Sequence, residues 1–159
     1  MIKSYLKFFL IIPLITFTIS CGFKVLDKSS LFNLEITEIQ TQGDTKTNFL
    51  IKNNLQKVLN IKNGGDTYII LNTSKKKRIK EKNSKNQITK YQIIINSSLT
   101  LNSLKTNEKK TFSSEVSGSY DVSNNHSTTI TNQNNLEKNL AKKSSDLILK
   151  QLILIFNAS

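Results

Sequence analysis

The clearest pattern in the chain is an alternation. From Tyr91 the odd positions run Tyr91, Ile93, Ile95, Ser97, Leu99, Leu101, and the even ones Gln92, Ile94, Asn96, Ser98, Thr100, Asn102. A period of two sends successive side chains to opposite faces, so this stretch predicts a long strand with one wet face. After a polar turn at Lys105–Lys110 the alternation returns. Phe112, Val116, Tyr120 and Val122 share one parity, with Ser114 and Gly118 between them, and the two strands are predicted to pair as an antiparallel hairpin. Upstream, Leu31–Gln42 reads as a first strand with Phe32, Leu34 and Ile36 on one face; Ile39 falls out of phase and marks a bulge or an end. In a further strand at Thr67–Thr73, Tyr68-Ile69-Ile70-Leu71 is continuously apolar, which suits a strand covered on both sides.

Two stretches carry helical spacing. Thr47–Asn60 places Ile51, Leu55, Val58 and Leu59 on one face, with Thr45 or Thr47 as the cap and Asn63-Gly64-Gly65 as the stop. After a polar loop at Ser123–Gln133, Asn134 caps a last helix, and Glu137 stands three residues on in the capping-box position. Leu136, Leu140, Leu147, Ile148, Leu152 and Ile155 line its buried side, with Ser144 as a soft spot, while Lys138, Lys142, Lys143 and Lys150 face water or an acidic surface. Leu147–Phe156 is apolar nearly all round and predicts deep docking on the sheet or on a partner protein. The order β-α-β-β-β-α predicts an α+β two-layer sandwich, a four-stranded sheet with two helices on one face.

Charge changes the picture at one place. The chain has 23 Lys and Arg against 11 Asp and Glu, a net charge of +12. Ser74–Asn86 concentrates it: Lys75, Lys76, Lys77, Arg78, Lys80, Lys82 and Lys85 stand against Glu81. Like charges this close repel, which predicts an exposed loop or the frayed ends of a hairpin. Such a surface suits an anionic partner, whether nucleic acid, phospholipid headgroups or lipopolysaccharide phosphates. Arg78, Lys80, Lys82 and Lys85 are the candidate phosphate ligands, Arg78 gripping bidentately and the lysines acting as point charges. A solvated loop that merely keeps the protein soluble is the other reading of the same residues.

Catalysis has little to draw on. With one His, one Cys and no close pair of acids in an apolar setting, neither a zinc site nor a Cys–His nucleophile can be assembled. No cofactor or metal is implied, and a non-enzymatic binder is expected.

The chain begins with Lys3 and Lys7, then the apolar run Phe8–Ile19, then Ser20-Cys21. A positive start, a short apolar run and small residues read as a secretory signal. Thr18-Ile19-Ser20-Cys21 resembles the lipobox of bacterial lipoproteins, which implies a signal peptide at 1–20, cleavage before Cys21 and alkylation of its thiol by diacylglycerol. A cleaved signal with an incidental Cys, or an uncleaved anchor, are the alternatives. The lipobox reading leaves one domain, 21–159, with a charge of +10 and no cysteine for a disulfide within the chain. Gly22 replaces the Asp that retains many lipoproteins in the inner membrane, so the resemblance implies the periplasmic side of the outer membrane. Export argues against nucleic acid as the partner.

Several separated motifs together resemble the LptE family of lipopolysaccharide-assembly lipoproteins: Cys21-Gly22-Phe23, Tyr91-Gln92-Ile93-Ile94, Ser119-Tyr120-Asp121, and Asn139-Leu140-Ala141 with Ile148, Leu152 and Phe156. The resemblance implies a lipid-anchored protein that plugs and helps assemble the β-barrel translocon LptD and binds lipopolysaccharide on its way to the outer leaflet. It also implies basic ligand contacts near the hairpin loop before the Tyr-Gln strand. Here that place is Ser84, flanked by Lys82 and Lys85. A second basic position, before the last helix, has only His126 near it. A structural scaffold lipoprotein that binds proteins but not lipopolysaccharide is the alternative function.

Overall fold

The computed structural model describes residues 34–62 and 64–156; the signal segment, Cys21 and Phe32 lie outside them. Its elements are β1 (Ile36–Gly43), α1 (Thr45–Gln56), β2 (Thr67–Lys82), β3 (Ile88–Ser103), β4 (Lys109–Asp121) and α2 (His126–Phe156). The four strands lie in the order β1-β2-β3-β4, with β1 parallel to β2 and the other neighbours antiparallel. Ile69, Leu71, Ile93, Ile95, Leu99, Phe112 and Val116 form the buried face, packed under Ile51 and Leu55 of α1 and Leu140, Ile148 and Leu152 of α2. This is the expected α+β sandwich with both helices on one face. No helix among the described residues is long and apolar enough to cross a membrane.

β1 shows the expected irregularity, with its register against β2 shifting between Ile36 and Glu38 so that both Ile36 and Ile39 face the core. It stops at Gly43 for a steric reason. Gly43 has φ +92°, and a Cβ there would sit 1.9 Å from the Thr73 carbonyl oxygen, so only glycine turns the chain out of the sheet at this point. The next residue then caps α1: the Asp44 carboxylate accepts from the Thr47 N–H at 2.8 Å. Asp44 therefore replaces Thr45 and Thr47 as the cap. The helix also ends earlier than its apolar spacing suggests. Its chain returns beside β1, with Lys62 N–H donating to the Ile36 carbonyl at 2.9 Å, and Gly64 (φ +88°) lies in this return rather than at the helix end.

The largest departure concerns the basic run. Lys75–Lys82 is part of a hairpin, as one of the two expectations had it, but neither a loop nor frayed: it is the distal half of β2, which is paired to β3 from Thr67–Ser103 through to Lys82–Ile88. Strand β3 supplies an apolar, β-branched partner, and alternation puts neighbouring lysines on opposite faces, which relieves the repulsion. The hairpin closes at Asn83–Gln87, where the Asn83 side chain accepts from the Lys85 and Gln87 N–H groups at 3.0 and 2.9 Å and Asn86 takes φ 59°. Nor is β2 covered on both sides. Ile69 and Leu71 are buried, whereas Tyr68 and Ile70 are half-buried on the sheet's open face.

Helix α2 starts at His126, so most of the expected polar loop is helix. Asn125 is the cap, accepting from Ser127 N–H at 2.8 Å, and the proposed capping box at Asn134 and Glu137 falls mid-helix. Leu149 and Ile153 are buried, while Leu147 and Ile155 are more than a third exposed, so the buried stripe is rotated from the expected one. Ser144 is no soft spot. It is fully buried, 2.7 Å from Ser114 Oγ, and its hydroxyl donates to Ser97 Oγ at 2.9 Å, which ties the helix to β4 and β3.

Candidate functional site

The register of β3 and β4 brings distant motifs together. Tyr91 pairs with Tyr120, Gln92 with Ser119 and Lys90 with Asp121. Alternation then divides these residues between the two faces. Tyr91 and Tyr120 point toward the helices, stacked with ring centroids 5.8 Å apart. Gln92 and Ser119 belong to the open face, where Arg78 Nε donates to Gln92 Oε1 at 2.9 Å and Lys80 Nζ donates to Ser119 Oγ at 3.2 Å.

On the helical side, the first lysines of the basic run are structural. Lys77 lies 4.2 Å from the centre of the Tyr91 ring and donates to Gln133 Oε1 at 3.0 Å. The same oxygen accepts from the Tyr120 hydroxyl at 2.8 Å, and Gln133 Nε2 donates to Glu137 at 3.0 Å. Glu137, only 2% exposed, is further held by Lys46 of α1 at 2.6 Å and Lys75 of β2 at 3.5 Å. Lys75 also lies 3.6 Å from Asp44. Burial pushes the Glu137 carboxyl up, but the hydrogen bonds from Lys46 and Gln133 and the two ammonium charges outweigh it and leave its pKa below the ordinary value. Asp44 is likewise raised by burial and lowered by more through Thr47 and Lys75. One chain of contacts thus joins α1, β2, β4 and α2.

The four sequence candidates lie on the far side of this network, along the distal hairpin. Arg78 and Lys80 occupy the open face; Lys82 and Lys85 flank the tip, where Lys82 Nζ donates to Asn86 Oδ1 at 2.9 Å. All four are exposed, and among the described residues none of them is ion-paired, since Glu81 is taken by Lys90 at 3.2 Å. The fold keeps Arg78 close to Lys80 and Lys82 close to Lys85, in a row rather than a pocket. His126 is not among them. It lines a groove of about 400 Å3 with Lys77, Tyr91, Asn124 and Gln133, on the helical side. Glu137, Lys46 and Gln133 were missed as a cluster by sequence reasoning, since their spacing along the chain carries no signal. Among the described residues no group of His, Cys, Asp and Glu is arranged to hold a metal ion.

No protein-family model matches the sequence, and no curated protein does. Solved structures do match. The chain shares its fold with bacterial lipoproteins. Rare lipoprotein B from Shewanella oneidensis superposes with a TM-score of 0.59 at 13% identity, over 77% of this chain and 98% of that one. An uncharacterized lipoprotein B from Nitrosomonas europaea gives 0.57 at 16%, over 87% and 94%. At such identity the likeness concerns the arrangement of strands and helices alone. It takes in nearly the full length of those two solved chains and about four-fifths of this one.

Proposed function

We propose that the chain is a lipid-anchored, non-enzymatic lipoprotein, held through Cys21 at the periplasmic side of the outer membrane. There its domain plugs and helps assemble an LptD-type β-barrel and binds lipopolysaccharide in transit. Both solved proteins compared above are named as lipoproteins, which supports the anchor. The observation that carries the ligand reading is the set of exposed cations Arg78, Lys80, Lys82 and Lys85, which have no acidic partner among the described residues and stand on a paired arm. Phosphate oxygens accept charge-assisted hydrogen bonds from such groups, and ordering the arm in advance lowers the entropy lost on binding.

Lys82→Glu combined with Lys85→Glu tests it. The affinity of the full-length protein in detergent for lipopolysaccharide is expected to fall about tenfold, two charge-assisted contacts being replaced by repulsion. Unchanged affinity removes those residues from the site. In a pull-down from solubilised outer membranes, a heat-modifiable barrel protein recovered at equal stoichiometry supports the plug. Recovery of the barrel without lipopolysaccharide binding would favour the scaffold function instead.

A further inference from the structure

Strand β1 accompanies β2 only as far as Thr73, where Gly43 turns the chain away. Asp44 N–H donates to the Thr73 carbonyl at 3.0 Å, so the backbone of Thr73 faces β1 and not β3. Backbone groups of an antiparallel strand alternate in direction with period two. Lys75, Lys77 and Ile79 therefore turn their N–H and C=O groups to the same outer side, into the column that β1 has vacated. No described residue pairs with them there. An unpaired edge of this kind is a template for another strand.

The side chains select what can add. Lysines on both faces of the edge repel a second copy of the same edge while attracting an acidic chain. Ile79, 49% exposed, offers an apolar contact at the distal end. Phosphate groups do not satisfy this edge, because they accept hydrogen bonds and leave its carbonyls unpaired; another backbone satisfies both. We propose that the outer edge of β2 at Lys75–Ile79 is a docking strand that takes an extended acidic segment of a partner protein by strand addition, continuing the column of β1. It uses backbone groups and so stands apart from the phosphate contacts assigned to Arg78, Lys80, Lys82 and Lys85.

The test uses the full-length chain in detergent micelles and a blocked peptide of alternating Glu and Val, read by residue-resolved amide exchange. The peptide is expected to slow exchange at Lys77 and Ile79 at least about tenfold while Ser74, Lys76 and Arg78, already bonded to β3, stay unchanged. Ile79→Pro removes an outward N–H without touching the β3 ladder, so it is expected to weaken the peptide about tenfold; Ile79→Thr, which keeps the N–H, is expected to stay within about threefold. Lipopolysaccharide affinity is expected to be the same in both variants, which separates this proposal from the ligand reading. Peptide binding without slowed exchange at Lys77 and Ile79 would overturn the proposal, as would equal binding of the Gln-for-Glu peptide. So would slow exchange at these amides in the free protein that increases with its concentration, the mark of self-pairing. The exchange measurement on the unsubstituted chain decides the matter even if Ile79→Pro does not fold.

Discussion

Glu137 lies buried where α1, β2 and α2 meet, held by Lys46 and Lys75. Three residues after Asn134 it looks like half of a capping box, yet Asn125 caps the helix. The spacing was correct for a motif that the longer helix made irrelevant, and nothing local announces partners 91 and 62 positions away in the chain. Glu137→Gln keeps the shape and removes the charge. With both lysines partly in water, the expected loss is about 1–2 kcal/mol in urea unfolding at pH 7. The pH dependence follows from the sign of the shift. The folded pKa values of Glu137 and Asp44 are depressed, so their contribution is present above the ordinary carboxylate range and is lost as pH falls through the folded values. The variant and the parent should therefore draw together in stability as pH falls below the ordinary carboxylate range, and a constant gap would show that the charge is not what matters. Ser144 makes a second case at this scale. Ser144→Ala strands the Ser97 and Ser114 hydroxyls in the core, at an expected cost of about 1–3 kcal/mol. Replacing all three serines with Ala removes the stranded groups and should recover part of that loss in the same measurement.

At the scale of elements, legibility tracked how strongly one face is buried. The alternation in β3 and β4 was readable because Ile93, Ile95, Leu99, Phe112 and Val116 sit on a face sealed by α2. Distal β2 was not, because its strand state comes from β3 and not from its own lysines; tertiary pairing overrode local preference. The end of β1 was half legible: Gly43-Asp44 reads as a turn, but the role of Asp44 as cap appears only once the turn's direction is known. Gly43→Ala is expected to destabilise by about 3 kcal/mol, from left-handed strain and the close Thr73 carbonyl, and to loosen the β1–β2 ladder in amide exchange. A loss below about 0.5 kcal/mol would mean that the chain can leave the sheet by another route. The basic run was legible as a cluster of cations, and the contacts that divide it were not. Lys75 and Lys77 turn inward to Glu137 and Gln133, while Arg78, Lys80, Lys82 and Lys85 meet no acid among the described residues, and strand parity with a register shift near Ile79–Glu81 makes that division.

For the whole molecule, the parallel pairing of β1 with β2 also bears on the order of assembly. Strands β2, β3 and β4 are joined by short turns and can zip from Asn83–Gln87 and from the loop before Lys109, whereas β1 must be brought back across α1 and the return segment. Local contacts form before distant ones because closing a long loop costs entropy before it is rewarded. Of the described strands, β1 is thus the first made and the last to find its place. Ile39→Val, in the middle of β1, should speed unfolding and leave the folding rate nearly unchanged, whereas Ile95→Val in β3 should slow folding, both read from stopped-flow chevrons. In a chain made from its N-terminus, β1 waits without its β2 partner until the hairpin has followed it out of the ribosome, and over this interval its edge is open to wrong pairing.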